Sequence, residues 1–184
     1  MLKKNETISI SKFLSLVLRH KPEIIGLQLN ENGWADVAAL IDKINAHNFK
    51  ITPAILNEVV ATNNKQRFAF NEDKTKIRAS QGHSIQVDLH LKERNPPQYL
   101  YHGTGEKAVA SILKSGLQKR ARQHVHLSVD IPTAIAVGKR HGNPRVFIIA
   151  AQQMQQDGYT FYLSENKVWL TDNVPATYLK LLKE

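Results

Sequence analysis

The hydrophobic pattern of this 184-residue chain changes at Pro96-Pro97. Before that pair, apolar residues recur at intervals of three and four, which is typical of amphipathic helices. After it, short strand-like runs predominate, separated by glycines and polar turns. The polar residues 92–95 just before the two prolines are interpreted as a linker. The sequence therefore predicts two lobes, residues 1–92 and residues 96–184.

The first lobe is predicted to begin with an amphipathic helix over residues 9–20, which Pro22 ends. This ending leaves Arg19 and His20 in the last turn, where positive groups complement the helix dipole. A guanidinium beside an imidazole suits a phosphate ligand, because the guanidinium holds the anion and the imidazole can donate or accept a proton. Taken alone, the pair is equally compatible with a solvated helix end.

Two further helices and a hairpin are predicted in the same lobe. Asp36 caps one helix, and Thr52 followed by Pro53 begins the next. Residues 67–70 and 76–79 alternate like paired strands around a polar turn. Three helices and a hairpin make a winged-helix pattern.

The second lobe combines many short strands with few helices, which predicts a compact α+β domain and not a doubly wound sheet. The two helices are each followed by a glycine that ends them. The predicted strands are residues 99–102, 125–127, 145–150, 159–163 and 168–171, and the helices are residues 106–114 and 132–141.

The charge balance favours a phosphate-rich partner. The chain has 25 Lys and Arg against 16 Asp and Glu, a formal net charge of +9. An excess of this size attracts polyanions. Cysteine is absent, which excludes disulfides and thiolate sites. No apolar run is long enough for a membrane span and no signal peptide is evident, so we expect a soluble cytoplasmic protein that acts as a monomer away from membranes.

Several familiar sites are excluded. The sequence contains no Gly-x-Gly-x-x-Gly turn, and Gly103-Thr104-Gly105-Glu106-Lys107 lacks the spacing of a Walker loop. His124 and His126 alternate on one strand, but no third ligand stands at a suitable spacing. We therefore expect no metal site.

Other polar groups stand where predicted strands and helices end, and each is compatible with an ordinary structural role. His102-Gly103-Thr104 closes an aromatic strand, where the glycine is interpreted as letting a ligand approach the backbone. Arg140-His141-Gly142 is a helix end, and Arg122 lies just before a strand. Arg67 is compatible with a strand-edge charge. Residues 78–84 pack hydrogen-bond donors and a glycine into one turn, which suits a phosphate or ribose contact.

Nine sequence blocks carry a resemblance to a known family. They are, in chain order, Ser11-Lys12-Phe13-Leu14-Ser15, Leu18-Arg19-His20-Lys21-Pro22, Asn32-Gly33-Trp34-Ala35, Lys65-Gln66-Arg67-Phe68, Arg78-Ala79-Ser80-Gln81-Gly82-His83-Ser84, Leu100-Tyr101-His102-Gly103-Thr104, Val125-His126-Leu127-Ser128, Arg140-His141-Gly142 and Val168-Trp169-Leu170-Thr171. Together they resemble the tRNA 2′-phosphotransferase family of KptA type. Each block is weak alone, but their order and spacing over nearly the whole chain are highly specific.

The resemblance implies a winged-helix-like RNA-binding lobe and an ADP-ribosyltransferase-like NAD-binding lobe, with the active site in the cleft between them. It implies an NAD-dependent RNA 2′-phosphotransferase of tRNA splicing. The RNA 2′-phosphate attacks the anomeric carbon of the nicotinamide ribose and expels nicotinamide, which gives 2′-phospho-ADP-ribosyl RNA. The ribose 2″-hydroxyl then attacks phosphorus, which yields RNA with a 2′-hydroxyl and ADP-ribose 1″,2″-cyclic phosphate.

The resemblance also implies roles for single residues, with NAD consumed as a co-substrate and no metal. The catalytic set falls on Arg19, His20, Arg67 and Arg122, of which the arginines clamp the phosphate and His20 assists the second step. RNA contacts fall on Lys12, Arg78, Gln81, Gly82, His83 and Ser84. NAD contacts fall on His102, Gly103, Thr104, Ser128, Arg140, His141 and Gly142.

Three positions depart from the family's pattern. Lys167 stands where a glycine is common, Ser80 occupies a variable position, and Gly105 is expected to loosen the turn after His102-Gly103-Thr104. Two alternatives use much the same motifs: an ADP-ribosyltransferase that caps terminal phosphates of RNA or DNA, and a winged-helix nucleic-acid binder without activity.

Overall fold

The computed structural model describes residues 4–183, which form two compact units. The first unit extends to His90 and the second begins at Leu91, and each has its own hydrophobic core. Both units combine helices with small antiparallel sheets, which confirms the α+β class. Within residues 4–183, no helix has the length and apolar character needed to cross a membrane.

Helix α1 (Lys4–Arg19) begins earlier than predicted and ends close to the predicted residue. Leu14, Val17 and Leu18 are fully buried, and their spacing of three and four residues places them on one face of the helix. The chain then enters a 3-10 turn that begins at Pro22. Because proline has no N–H to donate, the α-helix cannot continue through it. Arg19 is therefore held in the last turn.

Helices α2 (Val37–Asn45) and α3 (Pro53–Ala61) begin where the capping residues predicted. The Asp36 carboxylate accepts the backbone N–H of Ala39 at 2.8 Å, and the Thr52 hydroxyl accepts that of Ile55 at 3.3 Å. Each cap satisfies a donor that has no partner within its own helix.

A three-stranded sheet completes the first unit, in the order β1-β3-β2. Its strands are β1 (Ala35–Asp36), β2 (Phe68–Phe70) and β3 (Lys76–Ala79). The predicted β2–β3 hairpin is confirmed, with Phe68 opposite Ala79. Strand β1 was not predicted, because two residues show no periodicity. The register sets Arg67, just before β2, opposite Ser80, just after β3.

The second unit contains three small antiparallel sheets. Strand β4 (Leu100–Gly105) pairs along its whole length with β7 (Pro144–Ile149), whose other edge carries β11 (Leu179–Leu181). The second sheet has the order β6-β9-β8, and the third joins β5 to β10. These strands are β5 (Leu117–Gln118), β6 (Val125–Leu127), β8 (Tyr162–Leu163), β9 (Trp169–Thr171) and β10 (Asn173–Val174).

Three helices accompany these sheets: α4 (Val109–Ser115), α5 (Ile131–Gly138) and α6 (Ala151–Gln156). The prediction of strand over residues 159–163 was too long, since only the last two residues pair. Helix α6 and strands β5, β10 and β11 were not predicted. Each has six residues or fewer, and such short segments leave almost no periodic signal.

Close packing of α5 on β4 explains two of the glycines. A Cβ on Gly103 would overlap the backbone carbonyl of Ala134 in α5, and one on Gly105 would overlap that of His141. The interpretation of Gly103 as an opening for a ligand is therefore replaced by a packing role. Gly105 does not loosen a turn either, because it remains in β4 opposite Pro144.

Residues 92–95, interpreted as a linker, belong to the second unit. Glu93 forms an antiparallel bridge with Tyr162, and the Arg94 N–H donates to the Phe161 carbonyl at 2.9 Å. Asn95 accepts a side-chain hydrogen bond from Gln155 at 2.7 Å. These residues are polar because their side chains are exposed, while Glu93 and Arg94 pair with their neighbours through backbone groups. The sequence pattern therefore did not reveal the pairing.

Candidate active site

The end of α1 is tied to the loop that follows β3. The Ser84 N–H donates to the Arg19 carbonyl at 2.9 Å. The Ser84 hydroxyl lies 2.9 Å from Nδ1 of His20. One serine therefore fixes both the backbone at Arg19 and the ring of the next residue. The bond at Nδ1 sets the orientation of the imidazole ring.

Arg67 is held by a buried asparagine at the end of α3. The Asn63 side-chain oxygen accepts the Arg67 backbone N–H at 3.2 Å and its Nη1 at 3.3 Å. The Asn63 amide donates in turn to the Ser11 hydroxyl on α1 at 3.0 Å. Asn63 is only 8% exposed, so these bonds are made away from competing water.

Arg19 and Arg67, the two predicted catalytic arginines of the first unit, meet at one carbonyl. Nη2 of Arg19 lies 3.4 Å from the carbonyl oxygen of Arg67, which also accepts the Ser80 N–H at 2.9 Å. The Ser80 hydroxyl donates to the Gln66 carbonyl at 3.0 Å. The structure thus brings together Arg19, His20 and Arg67, three of the four predicted catalytic residues, although 48 residues separate the arginines. We call these three residues the basic cluster.

Arg67 keeps its positive charge although its side chain is partly buried. Burial lowers the pKa of its guanidinium, yet an arginine stays protonated at any physiological pH. In the part of the chain that the structure describes, its hydrogen bonds go to the neutral Asn63. A half-buried cation with a neutral partner favours the approach of an anion.

His83 lies behind the basic cluster and not on its surface. Its side chain is 1% exposed, and neither ring nitrogen has a hydrogen-bond partner. Burial lowers its pKa to about 4, with further contributions from Arg19, His20 and Arg78. The ring is therefore neutral at physiological pH. This placement suits a packing role better than the direct RNA contact that the family resemblance implies.

The other residues expected to face RNA lie on the surface of the first unit. Lys12 is exposed on α1, seven residues before Arg19 and hence on the same helical face. Gln81 and Gly82 are half-exposed, and Gly82 takes a φ of +87°, which a residue with a side chain rarely adopts. The Arg78 guanidinium stacks on the Trp34 ring, 4.5 Å from its centre.

In the second unit, His102 is oriented from strand β6. Its Nδ1 lies 3.1 Å from the His126 carbonyl oxygen and donates to it, which leaves Nε2 as an acceptor. Burial lowers the His102 pKa; His141 and Arg122 lower it further, while the bond to His126 opposes the shift. The ring is therefore neutral near pH 7. Thr104, two residues along the same strand, is only 8% exposed.

Ser128 and Arg122 are both positioned by β6. Ser128 and Tyr101 exchange backbone hydrogen bonds of 2.7 and 2.9 Å, which joins the end of β6 to β4. Nη1 of Arg122 lies 3.3 Å from Nδ1 of His126, so the arginine donates to the ring. Arg122 is otherwise exposed, in the loop before β6.

Arg140 and His141 extend α5 as a 3-10 turn that ends at Gly142, which takes a φ of +111°. Both side chains are exposed. His141 lies close enough to His102 to affect its pKa. The predicted nucleotide-binding residues therefore converge on β4, the end of β6 and the turn after α5.

Sequence reasoning missed the polar residues that support these groups. Asn63 was not singled out, because an asparagine four residues before an arginine is too common to serve as a signal. Trp34 and His126 stood within family blocks, and His126 was considered as a metal ligand, but neither was predicted to support another residue. Lys167 takes a φ of +59°, which explains why glycine suits that position in the family.

Comparison with known proteins covers nearly the whole chain. The model of the RNA 2′-phosphotransferase, Tpt1/KptA family matches residues 5–173. A probable RNA 2′-phosphotransferase of Flavobacterium johnsoniae is 58% identical over 178 residues, which are 96% of this chain and 98% of that protein. Proteins of the same description from Rhodopirellula baltica and Trichormus variabilis are each 55% identical over 175 residues, 95% of this chain and 95% and 96% of theirs.

Proposed function

Because the chain belongs to the RNA 2′-phosphotransferase, Tpt1/KptA family, we propose that it transfers an internal RNA 2′-phosphate to NAD. The observation that carries the proposal is the basic cluster. Arg19, His20 and Arg67 come from two distant segments and are fixed by hydrogen bonds from neutral groups. Among the described residues the Arg67 guanidinium is held by the neutral Asn63, so its charge stays available to a dianionic phosphate.

The same membership leads us to propose roles for the two units. The first unit would be a winged-helix-like RNA-binding lobe, a proposal supported by its three helices and three-stranded sheet. The second would be an ADP-ribosyltransferase-like lobe that binds NAD. Arg122, exposed on the second unit, is proposed as a further phosphate contact.

The residues of the second unit fit a dinucleotide. When bound, NAD supplies an electrophilic ribose carbon from which nicotinamide can leave. The neutral His102 offers Nε2 as an acceptor for a ribose hydroxyl or an amide, and its bond to His126 prevents the ring from turning away. Arg140 and His141 are exposed nearby and would hold phosphate oxygens.

In the first proposed step, the RNA 2′-phosphate attacks the ribose carbon and nicotinamide departs. The phosphate is itself the nucleophile, so the protein must mainly align it, and two fixed guanidinium groups do so. No strong side-chain base is required. This agrees with the absence of a carboxylate from the predicted catalytic set.

In the second proposed step, the ribose 2″-hydroxyl loses its proton to solvent as its oxygen attacks phosphorus, and the bond from phosphorus to the RNA 2′-oxygen breaks. Negative charge grows on the phosphoryl oxygens, where Arg19 and Arg67 stabilise it. His20 donates a proton from Nε2 to the departing RNA oxygen, and Ser84 holds the ring at Nδ1. The products are RNA with a 2′-hydroxyl and ADP-ribose 1″,2″-cyclic phosphate.

One assay tests the proposal. The protein is incubated with NAD and an oligonucleotide that carries one internal 2′-phosphate, beside matched oligonucleotides with only a 5′- or 3′-terminal phosphate. We expect nicotinamide release and loss of the internal phosphate. Stable ADP-ribosylation of the terminal phosphates alone would favour a capping enzyme, and no nicotinamide release with any RNA would overturn both enzymatic readings.

A further inference from the structure

A groove of about 530 Å³ lies beside α2 in the first unit and has no role in the function proposed so far. It is lined by residues 26–30, by Trp34, by Asp36 and two residues of α2, Ala39 and Lys43, and by Lys76 on β3. Its volume is within the range of sites that hold a small molecule or one unit of a polymer.

The groove carries two lysines and one carboxylate. Nζ of Lys43 lies over Gly26, 3.5 Å from where a Cβ would stand on that glycine. Lys76 is exposed and lies opposite Asp36 in the β1–β3 register. The Asp36 carboxylate is already engaged as the cap of α2, where it accepts the Ala39 N–H. The groove is therefore net positive and suits an anionic chain.

A layer of side chains connects the groove to the basic cluster. Trp34 lines the groove, and the Arg78 guanidinium stacks on its ring at 4.5 Å. Arg78, Arg19 and His20 all lie close enough to the buried His83 ring to lower its pKa. The neighbour of Trp34, Gly33, lies against the same His83 ring. The groove thus begins one side-chain layer from the residues proposed to hold the 2′-phosphate.

We propose that this groove binds the RNA strand that flanks the 2′-phosphate, with Trp34 against a base and Lys43 and Lys76 against backbone phosphates. The inference rests on the function proposed above, because that function makes RNA the substrate. Aromatic stacking with lysine contacts is the general means of holding single-stranded RNA without reading its sequence. The groove would then make an RNA of several nucleotides a better substrate than a single 2′-phosphorylated nucleotide.

Salt-dependent binding tests the charge part of the proposal. A fluorescent single-stranded RNA is titrated with wild-type protein, with Lys43→Gln/Lys76→Gln, and with Lys50→Gln/Lys74→Gln, which removes the same charge from exposed sites outside the groove. The groove variant should lose about 1.4 from the slope of log affinity against log salt, at about 0.7 per phosphate contact. At 0.15 M salt this corresponds to about tenfold weaker binding. Equal slopes for the two double variants would overturn the proposal.

Substrate length tests whether the bound strand is the flanking one. For each protein, kcat/KM is measured on a trinucleotide and on a longer oligonucleotide that carry the same internal 2′-phosphate. The control variant should keep the wild-type preference for the longer RNA, and the groove variant should lose most of it. An unchanged preference in the groove variant contradicts the inference. If the wild-type protein turns over neither substrate, the proposed function fails, while the binding titration still decides whether the groove holds RNA.

Trp34→Phe and Trp34→Leu test the aromatic part. Phenylalanine keeps a ring that can stack, and leucine does not. We expect the leucine variant to bind the fluorescent RNA several-fold more weakly than the phenylalanine variant. Thermal unfolding of both, compared with wild type, identifies any loss of folded protein. Equal affinities in two folded variants would contradict a stacking role.

Discussion

At the scale of single residues, neutral side chains hold the candidate active site in place. Ser84 fixes Arg19 and His20, and Asn63 fixes Arg67. Because Asn63 carries no charge, the Arg67 guanidinium that it orients keeps its attraction for a phosphate. The motifs in the sequence marked the basic residues, but the holders are common polar residues with no pattern of their own.

Asn63→Ala should therefore weaken both stability and activity. The change leaves the Arg67 N–H and the Ser11 hydroxyl without their partner, which costs about 1–3 kcal/mol when the groups are buried. It also frees the Arg67 guanidinium, so kcat should fall further than the loss of folded protein explains. Urea unfolding and steady-state kinetics measure the two effects. Asn64→Ala, at the exposed neighbouring position, is the matched control and should change neither.

Arg19→Ala separates the two proposed steps. The arginine is expected to stabilise the charge that builds on the phosphoryl group in the second step. We therefore expect ADP-ribosylated RNA to accumulate, as seen by gel shift and mass spectrometry in a single turnover. Lys21→Ala removes an exposed positive charge two residues away and should leave the intermediate transient. A uniform loss of NAD binding in Arg19→Ala would contradict this assignment.

His83 should make stability depend on pH. Burial lowers its pKa from 6.5 to about 4 in the folded protein, so the unfolded chain binds a proton more readily between those values. Its contribution is thus complete above pH 6.5 and is lost as pH falls towards 4, by about 3 kcal/mol. His83→Leu should flatten the free energy of unfolding over that range relative to wild type. Parallel curves for the two proteins would show that His83 does not titrate in this way.

At the scale of elements, the packing of α5 on β4 sets the position of the predicted nucleotide-binding strand. Gly103 and Gly105 allow the helix backbone to touch the strand, and Gly138 does the same from the helix side. His102 immediately precedes the first of these glycines on β4. The His102-Gly103-Thr104 motif, which was interpreted from the sequence as a ligand-binding motif, is thus partly required by packing.

Gly103→Ala should consequently destabilise the fold. The new Cβ would meet a backbone carbonyl, which cannot rotate away, so α5 must shift from β4. Overpacking of this kind costs about 1–3 kcal/mol or more. Differential scanning calorimetry should show a lower Tm without NAD present. A variant with wild-type Tm and weakened NAD binding would instead restore the interpretation of Gly103 as an opening for the ligand.

At the scale of the whole molecule, positive charge is spread over the chain. Divided after residue 91, the sequence has 12 basic and 9 acidic residues in the first part and 13 and 7 in the second. The net charge of +9 therefore does not belong to one tail. It favours the capture of a polyanion by both units.

RNA binding by the wild-type protein should accordingly weaken with salt. If the five basic residues proposed to contact phosphate each displace a counterion, the slope of log affinity against log salt is about −3.5. Raising salt fourfold should then weaken binding about a hundredfold. Fluorescence anisotropy at several salt concentrations measures the slope. An affinity that does not respond to salt would exclude a binding mode dominated by phosphate contacts.

The α+β class, helices α2 and α3, the β2–β3 hairpin and the family could all be predicted from the sequence, because capping residues, alternation and ordered motifs are local in the chain. The roles of Asn63 and Ser84 in holding the basic residues, the burial of His83 and the packing role of Gly103 became visible in the folded chain. The same holds for the pairing of residues 92–95 and of the shortest strands. These features depend on contacts between segments far apart in the chain, and neither composition nor periodicity records such contacts.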